Sequence, residues 1–248
     1  MSFGGQDRGP GDDHLRILHW NIHSWRDASG GRNLEAIAAL IRRTEPHVVS
    51  LTEVDERWGM AASVAELAGD RYSWLFVPTF EFGRTAPAGG FGNALLTRLP
   101  ILGAQQWQLL WPSRHYDGSE PSEPRAALFA RLEFGPAPVW VGTTHLPRND
   151  PWARDKALDR LKALTSGLGD RWLLCGDFNT SPSSWLGDDA PVTVSPDPPV
   201  ATYPADDPVE PIDYCLAAPG IALTAEVLPV AGSDHLPQLV RAQLPAPT

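Results

Sequence analysis

The chain has 248 residues, 42% of them hydrophobic and ten of them Trp, ample material for the core of one large α/β domain or two small ones. The formal net charge of −10 opposes a nonspecific grip on a nucleic-acid backbone, and from Leu173 to Thr248 a single basic residue, Arg241, faces ten acidic ones. No run approaches the roughly 18 apolar residues of a membrane span, and residues 1–13 lack a signal pattern, so a cytoplasmic protein with a disordered leader and a single domain over 14–248 is expected.

Apolar and β-branched runs predict strands, in chain order, at Leu15 to Trp20, Val48 to Leu51, Trp74 to Val77, Asn93 to Thr97, Ala127 to Phe134, Val139 to Thr144, Arg171 to Gly176, Ile212 to Ala217 and Leu239 to Leu244. Helical spacing appears twice between them. Asn33 to Arg43 places Leu34, Ile37, Ala38 and Ile41 on one face, and Trp152 to Leu164 does the same with Ala157, Leu158, Leu161 and Leu164. Each helix precedes a strand that ends in a carboxylate, Glu53 or Asp177, so the order strand, helix, strand is written twice, which is compatible with an internal duplication without requiring one. Pro78 to Gly92, Trp107 to Pro124 and the Pro/Asp-rich Gly187 to Pro211 read as irregular stretches, of the kind that usually rims a site. Cys175 and Cys215 fall inside strand-like runs and are expected as buried free thiols.

Polar residues recur at strand ends: Asn21-Ile22-His23, Glu53-Val54-Asp55, Thr144-His145, Asp177-Phe178-Asn179, Asp213-Tyr214 and Ser233-Asp234-His235. One such cluster only marks the passage from strand to loop. Six together, drawn almost wholly from Asn, Asp, Glu and His, make the oxygen-rich ligand set that a hard divalent cation takes, with imidazoles beside it. Arg125 is a candidate for bidentate contact with a phosphate. His14, His19, His47 and His115 lie outside these clusters and are expected to be ordinary histidines.

The segments NIH, LTEVD, GNALLTR, TTHL, GDFN, IDY and SDH, in this order from about Leu15 to Leu244, resemble the endonuclease/exonuclease/phosphatase superfamily. The resemblance implies a four-layered α/β sandwich, two mixed β-sheets packed face to face with helices outside, and Mg²⁺-dependent phosphoester hydrolysis, with Mn²⁺ as the alternative ion. It makes Glu53 the principal metal ligand, with Asn21 and Asp234 close to the ion directly or through water. His235 resembles the general base that takes a proton from the attacking water, oriented by Asp213. His145 resembles the histidine that protonates the leaving oxygen or holds a phosphate oxygen. Asp177 and Asn179 would position the water and the phosphoryl oxygens, and Asn93 and His23, with Arg125, are expected on the substrate side.

After Glu53 the chain has Val54-Asp55, not the Thr-Lys pair typical of the abasic-site branch, and TTHLPRND lacks that branch's tyrosine-bearing segment. The pattern is more similar to bacterial phosphatases and phosphodiesterases, so a small or lipid-derived phosphoester is the expected substrate. A DNA or RNA nuclease is the alternative, gripping its substrate through metal and through Arg84, Arg114 and Arg148. A noncatalytic or nonhydrolytic relative is the third reading. Phe80, Phe82, Phe91, Trp107, Trp111, Tyr116, Trp152 and Trp185 lie in or near the rim stretches and are expected mainly as packing residues.

Overall fold

The computed structural model describes residues 14–56, 60–69, 71–81, 90–110, 124–186 and 191–246. The expected leader, the side chains of Phe82, Trp111 and Tyr116, and Arg84, Arg114 and His115 lie outside the described residues.

Two six-stranded mixed sheets form the molecule's centre. The first has the order β11-β12-β1-β2-β4-β3, built from β1 (His14–Asn21), β2 (Val48–Asp55), β3 (Ser73–Glu81), β4 (Gly90–Thr97), β11 (Ala222–Val227) and β12 (Gln238–Gln243). The second has the order β5-β6-β7-β8-β10-β9, built from β5 (Ile101–Leu110), β6 (Arg125–Leu132), β7 (Val139–His145), β8 (Trp172–Asp177), β9 (Thr193–Ser195) and β10 (Asp213–Ala217). The helices α1 (Leu34–Thr44) and α2 (Met60–Leu67) cover the first sheet, and α3 (Pro151–Thr165) covers the second, giving four layers.

The alternation of β1 shows how the sequence makes those layers. Leu15 and Ile17 join the large apolar cluster, which between the sheets includes Leu128, Val141 and Leu173 of the second sheet. Leu18 and Trp20 point the other way, against Ile37, Leu40 and Ile41 of α1. Side chains two residues apart share a face of a strand, so His19 and Asn21 follow Leu15 and Ile17 towards the opposite sheet. The start of α3 is fixed by Asp150, whose carboxylate accepts from the Ala153 N–H at 2.9 Å, with Pro151 at the first helical position.

β1 and β2 pair in parallel across α1, and β7 and β8 pair in parallel across α3. The two sheets repeat one plan, with β12 and β11 flanking β1 as β6 and β5 flank β7. The repeat places the C-terminal ends of all four parallel strands together, the end at which ligands bind in such arrangements.

Several expectations need correction. The stretch from Trp107 is the end of β5, where Trp107 packs on Phe129 with ring centroids 5.1 Å apart. Pro78 to Glu81 and Gly90 to Gly92 are strand residues of β3 and β4. The stretch 187–211 holds β9 and a short bridge between Tyr203 and Glu210, and it buries Thr202. The thiols of Cys175 and Cys215 are free and buried, as expected.

Candidate active site

Three local devices bring the polar strand ends together. A register shift of β2 against β4 between Leu51 and Val54 leaves Glu53 in the left-handed region at φ 57°, turning its carboxylate out of the pleat. Asn179, just past β8, is also left-handed at φ 52°. The Ser233-Asp234-His235 segment is pinned to the end of β1: Ser233 Oγ donates to the Asn21 carbonyl at 2.7 Å, and Trp20 Nε1 donates to the His235 carbonyl at 2.8 Å. Gly232 makes that approach possible, because a Cβ there would lie 2.8 Å from the Trp20 ring, and its φ of +151° disfavours a side chain as well.

Asn21 is the hub. Its Nδ2 donates to Asp177 Oδ2 at 2.9 Å and lies 3.3 Å from Glu53 Oε1, while its Oδ1 accepts from the His23 N–H at 3.1 Å. That backbone donor fixes the amide orientation, so Asn21 gives carboxylates a proton donor and turns its own oxygen away from them. Asn21 thus stands beside the carboxylates expected to hold the ion and organises them through its amide nitrogen. His23 Nδ1 stands 3.8 Å from Asp234 Oδ1 at the partly exposed mouth.

Asp213 and His235 form a buried dyad. His235 Nδ1 donates to Asp213 Oδ2 at 2.8 Å, and the Thr202 hydroxyl donates to the same oxygen at 2.6 Å. This leaves Nε2 of His235 facing the site, 3.8 Å from Asp177 Oδ2. Burial alone would lower the His235 pKa, but the charge and hydrogen bond of Asp213, with Asp177 and Asp234 behind it, push it up to about 10. Burial alone would raise Asp213; the charge of His235 and the hydrogen bonds of His19 and His235 outweigh it and hold this carboxyl well below the ordinary range. Asp177 is pushed up to about 7 by burial and by the negative charge of Asp213. Glu53 is raised by burial and by Asp234, against the lowering effect of the Asn21 hydrogen bond.

His145 lies beside this group with Nε2 3.1 Å from Asn179 Nδ2 and Nδ1 3.5 Å from Arg125 Nη1. Burial and the adjacent guanidinium hold its pKa well below the ordinary value. A neutral ring suits contact with a phosphate oxygen, and does not suit the starting role of proton donor. Asn179 Oδ1 accepts from Arg148 Nη1 at 3.2 Å, while Arg148 Nη2 donates to Glu210 at 2.9 Å and its guanidinium lies 4.6 Å above the Tyr203 ring. Arg125 is buried next to His145. Asn93 Nδ2 donates to the Ala126 carbonyl at 3.0 Å across the two sheets, next to Arg125.

The sequence reading missed Thr202, which has no neighbouring motif, and His19. The latter is fully buried, with Nε2 3.4 Å from Asp213 Oδ1 and Nδ1 3.0 Å from Ser50 Oγ. The strand phase that puts Leu15, Ile17 and Asn21 on the inner face was the available signal.

Two groupings could hold a cation. Asp177, Asp213 and His235 offer ligand atoms within 4.8 Å of one another. Yet Asp213 faces donors at both oxygens, and His235 Nδ1 is committed to it, so two of the three are already satisfied. Glu53 and Asp177 are better suited, being carboxylates that share the Asn21 amide nitrogen, with the charge of Asp234 close enough to act on Glu53, and hard cations take such oxygens.

The match to a family model decides the relationship: the Endonuclease/Exonuclease/phosphatase family model covers residues 18–235. The chain belongs to this family. Solved structures of the family share its fold. One is an endonuclease/exonuclease/phosphatase from Beutenbergia cavernae DSM 12333, 22% identical with a TM-score of 0.74 over 93% of this chain and 72% of that one. A mannosyl-6-phosphatase from Bacteroides thetaiotaomicron VPI-5482 is 16% identical with a TM-score of 0.74, covering 93% of this chain and all (100%) of the other. The human Nocturnin catalytic domain with bound sulfate anion is 19% identical with a TM-score of 0.67, over 92% of this chain and 93% of that one. No curated protein sequence matches the chain. Among the described residues, no helix is long and apolar enough to cross a membrane.

Proposed function

We propose that this family member is a divalent-cation-dependent phosphoester hydrolase acting on a small or lipid-derived phosphomonoester or phosphodiester by in-line attack of water. The observation that carries the reading is the buried chain Thr202–Asp213–His235, which holds His235 Nε2 towards the carboxylates of the cation set. Glu53, Asp177 and Asp234 would hold Mg²⁺ or Mn²⁺, which when bound supplies a positive charge to offset charge building on the phosphoryl oxygens.

The other steps belong to the chain's own side chains. His235 Nε2, in the neutral form that its raised pKa of about 10 makes available towards alkaline pH, takes the proton of the attacking water, and Asp213 stabilises the imidazolium that results. Asp177 and Asn179 position the water and the phosphoryl oxygens. Neutral His145 and the Arg125 guanidinium contact the phosphate, and Arg125 brings the positive charge that anion binding needs in an otherwise acidic site. Arg148, held by Asn179 and Glu210, is already neutralised, which supports a small substrate over a long nucleic-acid backbone. A cytoplasmic setting fits the same reading.

The test is hydrolysis of bis-p-nitrophenyl phosphate, p-nitrophenyl phosphate and plasmid DNA with Mg²⁺, Mn²⁺ or EDTA. The expected result is cation-dependent release of p-nitrophenol that disappears in Glu53→Ala and His235→Ala. Plasmid nicking alone would transfer the protein to the nucleases, and no hydrolysis with any cation would leave a noncatalytic role.

A further inference from the structure

Asp213 is held unevenly. Oδ2 receives both the His235 Nδ1–H at 2.8 Å and the Thr202 hydroxyl at 2.6 Å, and the only hydrogen-bond partner of Oδ1 among the described residues is Nε2 of His19 at 3.4 Å. His19 and Asp213 stand on different sheets, β1 and β10, and neither side chain has contact with solvent beyond 1% of its surface. The ring is oriented from its other side by Ser50, its register partner on β2, whose hydroxyl lies 3.0 Å from Nδ1. If Ser50 donates to Nδ1, the ring proton must sit on Nε2, where it points at Asp213 Oδ1.

From this geometry we infer that His19 is a positioning residue for the hydrolytic reaction: with Ser50 it clamps the free oxygen of Asp213 from the opposite sheet and so fixes the aim of His235. A buried carboxylate oxygen without a donor costs free energy that rotation of the carboxylate would relieve. Rotation would take Oδ2 away from His235 Nδ1, and the imidazole would lose its orientation. The four groups thus form a relay, Ser50–His19–Asp213–His235, that also ties the two halves of the sandwich together at the floor of the site. The inference rests on the proposed role of His235, and its test contains an arm that does not need turnover.

His19→Leu removes the donor while keeping an apolar body of similar size, His19→Gln retains an N–H at about the same reach, and Ser50→Ala frees the ring to adopt the other tautomer. Turnover of bis-p-nitrophenyl phosphate with Mg²⁺ is measured beside the low-field proton resonance of His235 Nδ1–H, assigned by its loss in His235→Ala. The expected outcome for His19→Leu is a kcat about 10- to 100-fold lower with KM changed less than about threefold, and a shifted or broadened resonance. Ser50→Ala falls between it and wild type, and His19→Gln recovers most of the activity and the signal. Wild-type kcat and an unmoved resonance in His19→Leu overturn the inference, as does a kcat loss in His19→Gln equal to that in His19→Leu. If His19→Leu does not fold, Ser50→Ala and His19→Gln decide by the same criteria. A wild type that cleaves no phosphoester overturns the hydrolase reading, and the resonance alone then settles whether His19 holds the dyad.

Discussion

Replacing Asp213 with Asn tests the dyad with little change of shape. The amide oxygen can still accept from His235 Nδ1 or Thr202, but the charge is lost and the amide N–H₂ meets the His19 donor at the 3.4 Å contact. A rise of the His235 pKa from 6.5 to about 10 corresponds to roughly 5 kcal/mol of added preference for imidazolium, at about 1.4 kcal/mol per tenfold change, and Asp213 is its largest favourable cause. Removing that charge takes away stabilisation of the imidazolium formed as water is deprotonated. Asp213→Asn is therefore expected to lower kcat by about 10²- to 10⁴-fold with a smaller effect on KM. The sign on pH is also set. A weaker hold on the proton lets His235 become neutral at lower pH, so the acid limb of the kcat profile moves to lower pH as the plateau falls. Stopped-flow or plate assays of bis-p-nitrophenyl phosphate hydrolysis with Mg²⁺ across pH, with circular dichroism to confirm folding, give both readings. A folded variant with wild-type kcat and an unmoved acid limb would refute the reasoning.

Other consequences concern the cation, the β2–β4 region and alkaline stability. Glu53→Gln is expected to weaken Mn²⁺ binding at least about tenfold by calorimetry, because a neutral amide replaces the carboxylate that crowds Asp234; unchanged affinity would remove Glu53 from the cation set. Gly92→Ala should destabilise the fold by about 1–3 kcal/mol in urea unfolding, since the new Cβ would sit 1.9 Å from the Val77 carbonyl oxygen on β3. Wild-type stability there would show that β3 and β4 separate more easily than their pairing indicates. Tyr72 donates to the Pro46 carbonyl at 2.7 Å, and burial pushes its pKa up to about 12. A raised pKa contributes stability that is complete below the unfolded value near 10 and is lost as pH rises through the folded one. Thermal unfolding should thus show a decline between about pH 10 and 12 that Tyr72→Phe flattens, and an equal decline in both proteins would assign it to another group.

The fold was legible where strands are buried on both faces. Leu15 to Trp20, Val139 to Thr144 and Arg171 to Gly176 announce themselves by continuous apolar runs, and the helices by their stripes. The elements that escaped were β5, β9, β11 and α2, three edge strands and one short helix. An edge strand buries one side only, so Gln105, Gln106 and Gln108 in β5, or Thr224 and Glu226 in β11, dilute the apolar signal. Most of the site was legible as polar strand ends, because those residues are unusual where a strand meets a loop. Its supports were not. Thr202 acts through a hydroxyl in a Pro-rich stretch, and His19 acts from mid-strand, where only the alternation shared with Ile17 and Asn21 shows which way it points. Asn93 had the right neighbours in sequence, and its amide donates to the Ala126 carbonyl between the sheets.

Anomalous diffraction from crystals soaked in Mn²⁺ tests the central claim most directly, since it locates the cation without reference to substrate. The expected result is one peak against the Glu53 carboxylate, with Asp177 and Asp234 around it and His235 Nε2 facing the ion's open side. A peak enclosed by Asp177, Asp213 and His235, or none near Glu53, would contradict the account, because His235 would then be a ligand and could not serve as the base.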